Sequence, residues 1–283
     1  MLMTLGTCLC GAVRYEIDGP FGMMVHCHCS MCRKHHGAPF ATFAAAPLAG
    51  FRWVTGQDDI VHYASSTHGV RSFCRHCGSV TPTIMEAIGQ VSMPAGNLQG
   101  DLGIKPQCHI FVGSKAPWYE ITDALPRHEE YPPEFDSAGL NPPARVTRPG
   151  RVSGSCLCGE VVYETSDRPT RMFYCHCSRC RRARGAAHAS NVFFGIDGFR
   201  WIAGSERVRD YKFPEARFFT TAFCDRCGSK VPRVAHERGA VIVPAGSLDS
   251  DPGMRVMAHI YVADKAPWFD IADSVPQFAQ APS

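Results

Sequence analysis

The sequence is poor in charge. Only 19% of its 283 residues are Asp, Glu, Lys or Arg, and the formal net charge is +3. That charge is spread along the chain, so there is no electrostatic case for nucleic-acid binding. Long apolar runs are missing as well. The longest, Phe40–Phe51, is interrupted by Thr42, Pro47 and Gly50 and is too short to span a bilayer. Met1–Gly11 has neither a basic segment nor a sustained apolar one, so no secretory signal is expected. What the sequence does have is cysteine, fifteen in all. That is too sparse for a disulfide-stapled miniprotein and far too many for chance. A reduced, cytoplasmic, metal-using protein that binds neither membrane nor nucleic acid is the expectation.

Internal repetition sets the organisation. Cys8-Leu9-Cys10-Gly11 returns as Cys156-Leu157-Cys158-Gly159, and Cys27-His28-Cys29-Ser30-Met31-Cys32-Arg33 returns as Cys175-His176-Cys177-Ser178-Arg179-Cys180-Arg181, both shifted by 148. From Cys74-x-x-Cys77-Gly78-Ser79 and Cys224-x-x-Cys227-Gly228-Ser229 onward the shift is 150. It holds for Pro94-Ala95-Gly96 and Pro244-Ala245-Gly246, and for Lys115-Ala116-Pro117-Trp118 and Lys265-Ala266-Pro267-Trp268. The second copy therefore carries two extra residues between Gly204 and Cys224, expected in a loop. A repeat this long is a duplicated domain. The expected division is a first domain over 4–126, a Pro-rich linker over 127–152, a second domain over 153–276 and a frayed tail over 277–283. Tyr131 and Phe135 offer the linker apolar anchors.

Each copy reads as mainly β. Val13, Tyr15 and Ile17 alternate with Arg14 and Glu16, and short runs at Phe51–Val54, Ile60–Tyr63, Val91–Met93 and His109–Val112 are bounded by turn-forming residues. No segment carries a long stripe of helical period. The stretch Arg33–His36 is the best candidate for a short helix, ended by Gly37.

Fourteen of the cysteines fall into one seven-cysteine pattern used twice, leaving Cys108 over. Thiolates this closely spaced suit a soft ion such as zinc, whereas Cys-x-Cys closes poorly as a disulfide. A structural zinc takes four protein ligands, and a catalytic one takes three and keeps a position open, so seven fits one of each. Spacing alone permits two divisions. Cys29/Cys32 with Cys74/Cys77 would make a ribbon-like site and strand Cys8, Cys10 and Cys27. Cys8/Cys10 with Cys74/Cys77 leaves Cys27, Cys29 and Cys32 as a compact trio and is preferred on ligand arithmetic.

The combined order of these motifs resembles the glutathione-dependent formaldehyde-activating enzyme family, which also includes centromere protein V relatives. The resemblance covers Thr4–Pro126 and Ser153–Pro276. It implies a zinc-supported fold of coiled β-sheets, here in tandem where the family typically carries one domain. It implies structural zinc on Cys8, Cys10, Cys74 and Cys77, and on Cys156, Cys158, Cys224 and Cys227. It implies catalytic zinc on Cys27, Cys29 and Cys32, and on Cys175, Cys177 and Cys180, up to four ions per chain. The implied activity is that of a carbon–sulfur lyase of the S-(hydroxymethyl)glutathione synthase type, with a small-molecule thiol and an aldehyde as partners and glutathione as co-substrate. Copy two reads Leu248-Asp249, closer to the family's usual Leu-Asp than Leu98-Gln99 of copy one. Arg33 and Arg181, directly after the trios, are candidate partners for a glutathione carboxylate. His28 and His176, between ligands, are candidate donors to the thiolates. Trp118 and Trp268 read as core or domain-edge anchors. The alternative function is a non-catalytic zinc-thiolate module, a glutathione carrier or scaffold. A nucleic-acid binder is weaker still, because four filled sites would move the net charge to about −3.

Overall fold

The computed structural model describes residues 3–67, 69–132 and 150–281. In copy one the strands are β1 (Met3–Thr7), β2 (Arg14–Asp18), β3 (Met23–Cys27), β4 (Ala41–Pro47), β5 (Phe51–Thr55), β6 (Ile60–Ala64), β7 (Val70–Cys74), β8 (Thr83–Met85), β9 (Gln90–Pro94) and β10 (Cys108–Ile110). Helix α1 (Ser30–His36) stands between β3 and β4. Copy two repeats the series as β11 (Val152–Ser155), β12 (Val162–Thr165), β13 (Arg171–Cys175), α2 (Ser178–Arg184), β14 (Ala189–Phe194), β15 (Phe199–Ala203), β16 (Val208–Lys212), β17 (Thr220–Cys224), β18 (Arg233–Ala235), β19 (Ala240–Pro244) and β20 (Ala258–Ile260), and adds β21 (Gln277–Phe278). The protein is mainly β, as its patterning predicts.

Three sheets form in each copy. In copy one they run β1-β2-β5, β10-β3-β4-β9-β8 and the hairpin β6-β7. Copy two has β11-β12-β15, β18-β19-β14-β13-β20-β21 and β16-β17. Alternation explains the first sheet: Tyr15 and Ile17 on β2 are buried, while Arg14 and Asp18 are exposed. The helices end where glycine permits a left-handed residue, Gly37 at φ 64° and Gly185 at φ 60°. The two extra residues of copy two lie in the β16–β17 loop, longer than the loop joining β6 and β7.

Two boundaries move. The stretch beginning at Arg127, expected as linker, first completes copy one: His109 N–H donates to Pro126 O, and His128 N–H donates back to His109 O. The tail expected to fray does the same in copy two, where Gln277 and Phe278 pair in parallel with His259 and Ile260. In both cases β10 or β20 would otherwise present an unpaired edge beside a buried site. Tyr131 anchors as expected, edge-on to Phe111 at 4.8 Å. The rest of the expected linker, including Phe135, lies at 133–149, outside the described residues.

The copies are not beads on a string. Trp268 of copy two is buried in the core of copy one with Tyr15, Met24 and Phe40. Trp118 of copy one is buried in the core of copy two with Tyr163, Met172 and Phe194. Each exchange removes about 150–250 Å² of aromatic surface from water, worth up to about 4–6 kcal/mol. Phe73 and its counterpart Phe223 meet at 6.3 Å, on what is an approximate twofold axis relating the copies. There Gly78 (φ 68°) and Gly228 (φ 69°) each abut the other copy's phenylalanine so closely that a Cβ would collide with the ring.

One polar contact at this seam is strongly built. Lys34 on α1 is buried against copy two, where its Nζ donates to Asp249 Oδ1 at 2.6 Å, to Ser155 Oγ at 3.0 Å and to Ser155 O at 2.9 Å. Asp249 also accepts from Ser155 Oγ at 2.6 Å. A buried ion pair this well hydrogen-bonded offsets its desolvation, whereas either partner alone would not.

Candidate metal centres

Turns set the first cysteine cluster. Cys8 and Cys10 follow β1 in a turn closed by Gly11 N–H to Cys8 O, and Cys74 ends β7 in a turn closed by Gly78 N–H to Cys74 O at 2.8 Å. These turns aim sulfurs at one point. Cys8 and Cys10 Sγ are 3.4 Å apart, Cys10 and Cys74 Sγ 3.7 Å apart, and all four sulfurs including Cys77 lie within 4.8 Å of one another. In copy two the separations are 3.3 Å for Cys156–Cys158 and 3.8 Å for Cys158–Cys224, with Cys227 completing the set. Tetrahedral zinc–thiolate bonds of about 2.3 Å put sulfurs about 3.8 Å apart, so the donor sets fit that ion. It is Cys8 and Cys10, not Cys29 and Cys32, that stand beside Cys74 and Cys77.

The electrostatics of both clusters call for a cation. A hydrogen bond with Cys10 and burial push the Cys8 thiol up, while hydrogen bonds from Cys74 and Cys8 bring Cys10 down. Sulfurs crowded in this way compete for the anionic form, and a bound metal ends the competition by stabilising every thiolate. Ser79 Oγ accepts from Leu9 N–H at 2.9 Å, and Ser229 Oγ from Leu157 N–H at 3.0 Å, so each Gly-Ser pair pins the two ligand turns together.

The trios differ between copies. Among the described residues, Cys175, Cys177 and Cys180 form the third gathered set, with all three sulfurs within 4.8 Å of one another. Cys177 also caps α2, accepting from Cys180 N–H at 3.4 Å. Hydrogen bonds from Cys175 and Cys180 pull its thiol down to about 2. Cys27, Cys29 and Cys32 are not drawn together to that degree. Cys27 and Cys32 sulfurs are 3.5 Å apart, and Arg71 Nη1 donates to Cys32 Sγ at 3.2 Å. Burial works against the charge of Arg71, but Cys32, Cys29 and Cys27 outweigh it and hold the guanidinium protonated. The copy-two counterpart of Arg71 is Thr221, and the positive charges acting on the second trio come from its own helix, Arg179 on Cys177 and Arg184 on Cys180 and Cys175. Cys108 packs beside the first trio.

The histidines are arranged differently from expectation. His28 Nε2 is 2.8 Å from His109 Nδ1, and His109 Nε2 is 3.0 Å from both oxygens of Asp123. Copy two repeats the chain through His176, His259 and Asp273 at 2.8, 3.0 and 3.1 Å. The Asp123 carboxylate accepts from His109 Nε2–H, so His109 Nδ1 in turn accepts from His28 Nε2–H. His28 and His176 thus donate away from the cysteines, and their Nδ1 atoms are buried without a partner. The thiolate-donor role does not hold. Burial keeps both rings neutral, lowering them to about 3.

Arg181 Nε donates to His176 O at 3.3 Å, while Arg33 Nε is buried without a hydrogen bond. Sequence reasoning also missed Phe111 and Tyr261, which sit in the same clusters as the trios and both carry φ 57°. A left-handed aromatic residue is strained, and its recurrence at both trios marks a conformation the site imposes. The signal available was that each follows a short strand with one of the paired histidines, His109 or His259, at its centre.

Fold and sites together define a duplicated, cysteine-rich β protein whose cysteine clusters could hold metal ions. The family model described as glutathione-dependent formaldehyde-activating enzyme matches residues 3–114 and 151–264, most of the chain, and the chain belongs to that family. Among curated relatives, an uncharacterized lyase of Schizosaccharomyces pombe is 31% identical over 74 residues, 26% of this chain and 52% of that protein. The chain thus spans about half the length of that relative. A Halomonas elongata protein provisionally named a glutathione-dependent formaldehyde-activating enzyme is 28% identical over 124 residues, 41% of this chain and 79% of its own. A crystal structure of a Rhodobacter sphaeroides protein matches at 31% identity over 34% of this chain and 89% of that one, with a TM-score of 0.30. No helix among the described residues is long and apolar enough to cross a membrane.

Proposed function

We propose that the chain is a zinc-dependent carbon–sulfur lyase of the S-(hydroxymethyl)glutathione synthase type, working at Cys175, Cys177 and Cys180. The observation that carries this reading is the gathered three-sulfur set in a member of the formaldehyde-activating family. Four-cysteine sets at Cys8, Cys10, Cys74, Cys77 and at Cys156, Cys158, Cys224, Cys227 hold structural zinc. A zinc ion held by only three thiolates leaves one ligand position and stabilises the deprotonated form of a thiol brought to it. The addition is balanced without a redox partner. The glutathione sulfur, having lost its proton, forms a bond to the formaldehyde carbon, the carbonyl π bond breaks, and the resulting alkoxide takes up a proton.

The chain's own residues set the conditions for this. The trio sulfurs are almost fully buried, with Cys175 and Cys180 each 7% exposed, which limits water at the reacting atoms. Helix α2 presents Cys180 and Arg181 in its first turns, so a carboxylate of the bound tripeptide has a guanidinium within reach of the sulfur site. At Cys27, Cys29 and Cys32, Arg71 already supplies a positive charge, which favours the second reading there: a thiolate-holding structural role instead of turnover.

Cobalt substitution tests the proposal. Glutathione should change the cobalt spectrum as an added thiolate does, more strongly with rising pH, and S-methylated glutathione should not. An identical response to both compounds would remove the thiol-activating role and leave the carrier or scaffold.

A further inference from the structure

We propose that the seam beside copy one holds a binding site for a zwitterion with a free carboxylate, of amino-acid to short-peptide size. The argument starts from a broken symmetry. The buried set of Lys34, Ser155 and Asp249 has as its counterparts Arg182, Thr7 and Gln99. The cation is kept and the carboxylate is replaced by an amide. Arg182 makes no hydrogen bond or ion pair among the described residues, and its Nε is buried without a partner. The side chain is half-buried, and where Lys34 faces a carboxylate this guanidinium faces none, so an anion brought to it meets an unengaged cation.

Space for that anion is present. Arg182, Gln99 and Thr7 line a cavity of about 560 Å³, large enough for a small ligand. Its outer wall is Tyr211 near the end of β16 and the β16–β17 loop with Phe213 and Glu215, the loop that carries the two-residue insertion of copy two. The insertion therefore falls on the side where the internal ion pair is lost. Arg14 also lines the cavity and adds a second positive group for a carboxylate. Glu215 and the sulfur-rich wall at Cys10 would repel a second bare carboxylate but accept an ammonium, which selects a zwitterion over a dicarboxylate. The ligand carboxylate takes the place that Asp249 fills in the other half.

This site is independent of the thiol chemistry proposed above, so its test uses compounds without sulfur. The purified full chain is titrated calorimetrically with L-glutamine, triglycine and triglycine amide. Glutamine or triglycine should bind saturably, and the amide, lacking the carboxylate, at least tenfold more weakly. Gln99→Asp restores the internal partner, so it should lower affinity at least tenfold with a thermal midpoint at or above the native one. Loss of binding in that variant cannot then be read as loss of fold. Arg182→Gln should lose binding to the same degree. Failure of both acids to bind, equal binding of the amide, or native affinity in Gln99→Asp would each overturn the site.

Discussion

His36 lies buried among His35, Phe43 and the basic groups Arg71 and Lys230. Burial first, then these charges, holds it well below its ordinary value of 6.5. The unfolded chain therefore binds a proton that the folded chain refuses. The stability this neutral ring permits is complete above pH 6.5 and falls as pH drops below it, by about 1.4 kcal/mol per pH unit for each such group. His36→Leu should keep stability near native at pH 8 and flatten its fall below pH 6.5, as measured by urea unfolding at a series of pH values. Asp249 makes the opposite case. Asp249→Asn leaves Lys34 buried without its carboxylate and should cost about 3–5 kcal/mol. A loss under 1 kcal/mol would show that the pair is solvated.

At the scale of single elements, the two kinds of cysteine set should respond differently. Cys77 gathers with Cys8, Cys10 and Cys74 between the β7 turn and the loop after β1, and a zinc ion bound there would contribute folding free energy directly. Cys77→Ser should therefore abolish cooperative unfolding of its half and release metal. Cys177→Ser is milder. Its oxygen can still cap α2 at Cys180 N–H, so the helix persists while the trio loses a ligand. Metal analysis beside circular dichroism separates these outcomes, and equal destabilisation by both would contradict the assignment. The cysteine turns and the short helix ended by Gly37 were legible in the sequence because their determinants lie within a few residues of one another. The histidine chains were not, because His28 and His109 are 81 residues apart and only the parallel pairing of β3 with β10 brings them together. Arg71 was readable in principle as a cation in one copy facing Thr221 in the other.

For the whole molecule, duplication was plain from the repeat, whereas the exchange of Trp118 and Trp268 between cores was invisible. An Ala-Pro-Trp segment looks the same whether it packs on its own copy or on its neighbour's. The exchange predicts that residues 1–132 expressed alone lack the tryptophan their core needs and recover one by pairing with a second copy. Sedimentation should find a dimer or aggregate, and a stable, well-folded monomer would contradict the exchange. Metal content follows the same logic. The intact chain should carry more than two zinc ions and approach four, with its cysteines reduced.

The central claim, that Cys175, Cys177 and Cys180 promote thiol addition to an aldehyde, is tested most directly by NMR measurement of S-(hydroxymethyl)glutathione formation from glutathione and formaldehyde. The zinc-loaded protein should raise the exchange rate above the spontaneous one, and folded Cys177→Ser should return it to the spontaneous rate. A native protein that adds nothing to the uncatalysed rate, or a Cys177→Ser variant as fast as native, would contradict it.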